Sequence, residues 1–181
     1  MRKLLGVFSW ILALSMGEAQ ALPLVTDVFI ADTDPGSVQY VTFDVTTAGT
    51  FSIKAQGEDT LSPASDWNED PQIHLFSSSL SLANLIASDD DGGVGLDSLI
   101  SSIALGGGHY ILALSEYFFS ASEAVAGTNA GSVDDPGWIR VTIDSSDGDA
   151  RFPSSVPEPA TLALFGFGLA GLGFGRRRTA V

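Results

Sequence analysis

Asp89-Asp90-Asp91-Gly92-Gly93-Val94-Gly95-Leu96-Asp97 holds the densest set of hard oxygen donors in the chain. Ca²⁺ takes six to eight oxygens, from carboxylates, carbonyls and water, at about 2.3–2.6 Å. Adjacent aspartates on a glycine-rich turn supply several of these, and glycine lets backbone carbonyls turn inward. Asp89, Asp90, Asp91 and Asp97 are therefore the candidate metal ligands, and Ca²⁺ is the cofactor that such a set would take. The spacing is not that of an EF-hand, which alternates its acids and closes on a glutamate. Asp and Gly also favour turns for purely local reasons, so a solvated acidic turn is the competing expectation. A second acidic group, Asp66, Glu69 and Asp70, stands ready to share the ion or to hold another.

Other chemistry is harder to place. No Gly-x-Ser-x-Gly, His-Glu-x-x-His or phosphate-loop pattern occurs, so no catalytic residues are assigned and the chain is read as non-enzymatic. The two histidines, His74 on the outer side of a strand and His109 after a glycine turn, suit surface positions. Trp67, Tyr117, Phe118 and Phe119 lie in or beside loops, where they could stack on sugars or pack beneath the loops.

The chain has 181 residues and no cysteine, which excludes a disulfide framework and thiol chemistry. Between Leu22 and Val156 only Lys54, Arg140 and Arg151 are basic, whereas every acidic residue except Glu18 and Glu158 lies there. Such a surface repels phosphate backbones and attracts divalent cations, so nucleic acid is not an expected partner.

The elements that must position these residues are strands. Val41, Phe43 and Val45 alternate with Thr42, Asp44 and Thr46, and after Ala48-Gly49 the residues Phe51, Ile53 and Ala55 alternate with Ser52 and Lys54. Period two on both sides of a short turn reads as a hairpin with one buried face. Val25 to Ala31, Gln72 to Phe76, Leu82 to Ser88, Leu99 to Leu105, Tyr110 to Tyr117, and the Ile139, Val141, Ile143 run complete the set. Both faces of Tyr110 to Tyr117 are apolar, which marks a central strand. Ser120 to Pro136 reads as a long loop and residues 145–155 as a polar linker. The expected fold is all-β, a single antiparallel sandwich of jelly-roll type over residues 22–144.

Both ends read as addresses. Arg2 and Lys3, an apolar run from Leu4 to Met16 and the small pair Ala19 and Ala21 form a signal peptide over residues 1–21, cleaved by signal peptidase to leave Leu22 first. At the other end stand Val156-Pro157-Glu158-Pro159, an apolar segment from Ala160 to Gly175, and the basic stop Arg176-Arg177-Arg178. Sixteen residues of helix rise about 24 Å, a short span of a roughly 30 Å hydrocarbon core, so a transmembrane helix is expected there. The arginines belong on the cytoplasmic side and the domain outside.

Two resemblances follow from these residues. Asp70, then Ile73-His74-Leu75-Phe76, the Asp89-Asp90-Asp91-Gly92 turn, the Ser98 to Leu105 strand and Gly108-His109-Tyr110-Ile111-Leu112 together resemble the bacterial pre-peptidase C-terminal-like domain. That resemblance implies a small β-sandwich used as an accessory module. Residues 156–181 resemble the PEP-CTERM sorting signal of Gram-negative bacteria, with motif, apolar segment and arginine cluster all in place. This resemblance implies an exosortase-type processing enzyme as partner and a transient inner-membrane anchor, then release or attachment at the cell surface. It also implies a structural or adhesive role alongside exopolysaccharide or biofilm. The alternatives carried beside it are a secreted carbohydrate-binding accessory module and a cryptic hydrolase.

Overall fold

The computed structural model describes residues 22–31, 37–57, 69–131 and 136–153. The leader with Ala19 and Ala21, the acidic loop with Asp66 and Trp67, and the tail from Val156 to Arg178 lie outside the described residues. No described helix is long and apolar enough to cross a membrane.

Among the described residues nine strands form two antiparallel sheets packed as a sandwich: β1 (Leu24–Ile30), β2 (Gln39–Thr47), β3 (Gly49–Gln56), β4 (Pro71–Ser77), β5 (Leu85–Asp89), β6 (Ser98–Leu105), β7 (Gly108–Glu116), β8 (Gly137–Ser145) and β9 (Asp149–Arg151). One sheet has the order β1-β8-β3-β6 and the other β5-β4-β7-β2-β9. The core between them collects the inward residues that period two selects, among them Val41, Phe43 and Val45 of β2, Phe51, Ile53 and Ala55 of β3, and Ile139, Val141 and Ile143 of β8. Phe43 stacks on Tyr110 with ring centroids 5.5 Å apart.

The expected hairpin of β2 and β3 does not form. The two strands lie in opposite sheets, β2 between β7 and β9 and β3 between β6 and β8. Only Ala48 separates them, so the chain turns a corner across the core rather than folding back in the same sheet. Both inward faces remain buried, and the alternation alone is satisfied by either arrangement. The turn before β7 makes the same crossing, from β6 in one sheet to β7 in the other.

β7 is the centre of its sheet, as its two apolar faces predict. Tyr110, Leu112 and Leu114 enter the main core. Ala113 faces the other way and joins Phe76, Phe119 and Ala124 in a second, smaller cluster on the outside of the sheet. The cover is α1 (Ala121–Ala126), a short helix inside the segment expected to be a loop. Ser120 and Glu123 form a capping box at its start, and Gly127, at φ +78°, closes its end in the left-handed region. The Tyr40 hydroxyl donates to Ala124 O at 2.7 Å and ties the helix to β2.

Two further corrections follow from this cover. Phe119 is buried beneath α1, so it is not free to stack on a ligand. His74, expected at the surface, is only 4% exposed. The Phe119 carbonyl can only accept, so His74 Nε2 carries the proton and donates to it at 2.8 Å, while Nδ1 accepts from the Ser88 hydroxyl at 2.7 Å. His109 does lie at the surface, with Nδ1 2.9 Å from Asp44 Oδ1. The segment expected as a linker, residues 145–155, contains β9, whose Asp149–Arg151 pair with the edge of β2, so the sandwich continues past residue 144.

Burial holds the His74 pKa below its ordinary value near 6.5. As pH falls from there through the folded value, the unfolded chain takes up a proton that the folded chain does not, and stability is lost. Between pH 7 and pH 5 the urea midpoint should therefore fall more for the wild type than for His74→Phe. Equal slopes would remove His74 as the titrating group.

Candidate functional site

One end of the sandwich gathers the acids. The ends of β3, β5 and β7 and the starts of β4, β6 and β8 meet there, as the pairings Pro71 with Glu116, Ala55 with Ser98 and Ile73 with Asp89 require. Six elements thus bring Glu69, Asp70, Asp89, Asp90, Asp91, Asp97 and Glu116 to one rim.

The four aspartates named from sequence divide into two pairs with different work. Asp89 Oδ2 accepts from Leu99 N at 2.6 Å and Gly92 N at 2.9 Å, locking the turn to β6. Asp97 is buried and accepts from Gly57 N at 3.1 Å and Gln56 Nε2 at 3.3 Å, tying the turn to the end of β3. Their oxygens are largely committed to the fold.

Asp90 and Asp91 instead converge with Asp70, and one carboxylate oxygen of each lies within 4.8 Å of the others. Oxygens around one Ca²⁺ at about 2.5 Å are at most about 5 Å apart, so this spacing fits a single ion. Asp70 came from the second acidic group, and only the strand pairing shows that it faces this turn rather than another. Asp70 Oδ1 and Asp90 Oδ1 are both screened from solvent and lack a hydrogen-bond partner. Burial, with Asp90 and Asp91 adding repulsion, pushes the Asp70 carboxyl up to about 6. Burial and then the neighbouring Asp91 and Asp89 raise Asp90 as well.

A third kind of donor lies beside them. The Ser98 hydroxyl, fully buried, sits 2.5 Å from Pro71 O, 2.6 Å from Asp90 O and 3.0 Å from Asp89 O. A hydroxyl has one proton, so it donates to one of these carbonyls at a time. A cation beside the turn would find carboxylate and carbonyl oxygens together. Asp70, Asp90 and Asp91 are the residues that would hold it, with carbonyl oxygens of the same turn at hand.

Sequence alternation could have found a different feature. With Ile139 inward, Trp138 must face out; it is 52% exposed, and its cross-strand neighbour Phe29 is 43% exposed. Their rings lie 5.3 Å apart, tilted by 57°. Of the aromatics named from sequence, Tyr117 and Phe118 stack on one another at 4.0 Å and remain exposed.

The fold and its acidic rim thus define a class, an all-β sandwich domain of two antiparallel sheets. Residues 155–178 match the PEP-CTERM protein-sorting motif, spanning the Pro157-Glu158-Pro159 core, the apolar segment and Arg176 to Arg178. That motif implies export through a transient membrane anchor and processing by an exosortase. No curated protein matches it. Among solved structures it is similar to the pre-peptidase C-terminal domain of collagenase from Bacillus anthracis, at 14% identity over 68% of this chain and 90% of that one, with a TM-score of 0.45. A protein from Sulfurospirillum deleyianum is similar at 13% identity over 68% of this chain and 98% of that one, with a TM-score of 0.36.

Proposed function

We propose that this protein is a non-enzymatic, calcium-stiffened component of the exopolysaccharide or biofilm matrix of a Gram-negative bacterium. The observation that carries the reading is the meeting of Asp70, Asp90 and Asp91 at one end of the sandwich, in a chain that ends in a sorting motif. A divalent cation there joins the start of β4 to the turn after β5. It neutralises carboxylates that otherwise repel each other, so the domain is firm where calcium is plentiful, outside the cell. Signal peptidase acts on the leader at Ala19 and Ala21, and the inner membrane holds the short tail until processing.

Mass spectrometry of the surface form, taken from an exosortase-bearing Gram-negative host, tests the trafficking. The mature chain should start at Leu22 and lack Arg176-Arg177-Arg178, and Glu158→Ala should leave the tail in place. An intact arginine tail on the surface form would overturn the processing claim. The matrix role is tested in cells unable to make exopolysaccharide: the protein should move from the cell-associated fraction into the medium, and unchanged retention would count against it.

A second reading, a carbohydrate-binding accessory module, is favoured by the aromatic rings left on the surface.

A further inference from the structure

We propose that the outer face of the β1-β8-β3-β6 sheet is a glycan platform, with Trp138 and Phe29 as its stacking rings and a neutral pyranose polymer as its ligand. The proposal rests on the surface location argued above and deepens it by naming where the polysaccharide is held.

Each row of this face is set by the strand register. Phe29 pairs with Trp138, the next row places Asp27, Arg140 and Gln56 side by side, and the row beyond holds Val25, Thr142 and Lys54. Rows on one face are two residues apart, about 6.7 Å, so a sugar seated on the Trp138 ring has its edge over the second row. A pyranose has C–H faces that are apolar and edges crowded with hydroxyls that both donate and accept. The platform offers the matching pattern of ring, then charged and amide groups. Arg140 Nε and Nη2 hold Asp27 at 2.8 and 3.1 Å, which orients the guanidinium and leaves further N–H donors for hydroxyls. Gln56 gives its amide nitrogen to Asp97 and keeps its oxygen as an acceptor.

Charge selects the kind of ligand. Lys54 and Arg140 offset Asp27 and Asp144 on this face and leave Asp97 beside Gln56 and Asp147 beside Thr50 unbalanced, whereas the chain as a whole stands at −14. A neutral polymer meets a face with few unbalanced charges. A polyanionic glycan, or a second acidic copy of this chain, approaches against the field of the entire domain. Large exposed aromatics grouped on a sheet face mark a contact surface rather than chance exposure.

Affinity electrophoresis of the full chain in mild detergent tests the platform, with hydroxyethyl cellulose, laminarin and galactomannan as neutral probes and alginate as the acidic one. At least one neutral probe should retard the protein, Trp138→Ala should weaken that binding tenfold or more, and Trp138→Phe should keep part of it. Phe118→Ala, away from the face, should bind as the wild type does. Retardation by alginate alone, or retardation that survives both Trp138 variants, overturns the proposal. So does a lack of retardation by all three neutral probes in a protein that still melts cooperatively, an outcome that leaves the surface role standing. A concentration-dependent dimer abolished by Trp138→Ala would assign the face to a second copy instead.

Discussion

Millimolar Ca²⁺ should raise the melting temperature of the full chain by about 5 °C or more, and Asp70→Asn should abolish that rise. A ligand present at a hundred times its dissociation constant adds about 2.7 kcal/mol to the folded state, and each kcal/mol moves the midpoint of a domain of this size by several degrees. Asp70 is the informative position because its carboxyl is pushed up to about 6 by burial, Asp90 and Asp91. The sign follows from linkage. Between about pH 4 and 6 the folded state holds a proton that the unfolded chain has released, so the metal-free domain loses stability as pH rises through that window. Above pH 6 Asp70 is ionised beside Asp90 and Asp91, a crowding of acids that Ca²⁺ relieves. Protons therefore compete with the metal, and the calcium-induced shift should shrink steadily below pH 6. Asp70→Asn should melt no lower than the wild type without calcium, since it removes a repelling charge. A wild-type melting curve that ignores millimolar Ca²⁺ at pH 7.5 would sink the site.

Gly137→Ala should cost about 1–3 kcal/mol, the scale of forcing an extra methyl group into a packed site. Gly137 opens β8 beneath Glu69, and a Cβ there would overlap the Glu69 carboxylate and its Cγ. Glu69 is only 1% exposed, so any shift of its side chain disturbs packed neighbours. The displaced carboxylate lies next in sequence to Asp70, so the calcium response should weaken along with the fold. Gly107→Ala is the comparison: its nearest neighbour would be Val45 O at 3.7 Å, an ordinary contact, and the change should cost little. Urea titrations of both variants decide the point. A Gly137→Ala midpoint within the range of Gly107→Ala would mean that the rim yields more readily than its packing implies.

Much of the sandwich was legible because period two is a local signal. Phe43, Phe51 and Ile139 declare their faces through their immediate neighbours, and the double-sided apolar character of β7 declares its central place. The β2–β3 connection was misread because alternation fixes which face is buried but not which strand lies alongside. A hairpin and a corner bury the same residues. His74 and Phe119 were misplaced for a related reason: the cover over the outer face is α1, a six-residue helix too short to show a period. Its capping box, Ser120 with Glu123, was the one sequence sign of it.

The sequence by itself determined the C-terminal sorting motif, the acidity, the strand faces and the turn that supplies Asp90 and Asp91, since each depends on residue type and near neighbours. Tertiary structure alone decided that Asp70 joins those two while Asp89 and Asp97 are spent on backbone N–H groups and the Gln56 amide. Carboxylates far apart in the chain become neighbours only through the register of β4 against β7 and β5, and register is set by the whole core rather than by any one stretch. The same register placed Trp138 against Phe29 beside the bidentate Arg140–Asp27 pair, because β1 and β8 lie at opposite ends of the domain sequence and meet only once the sheet has closed.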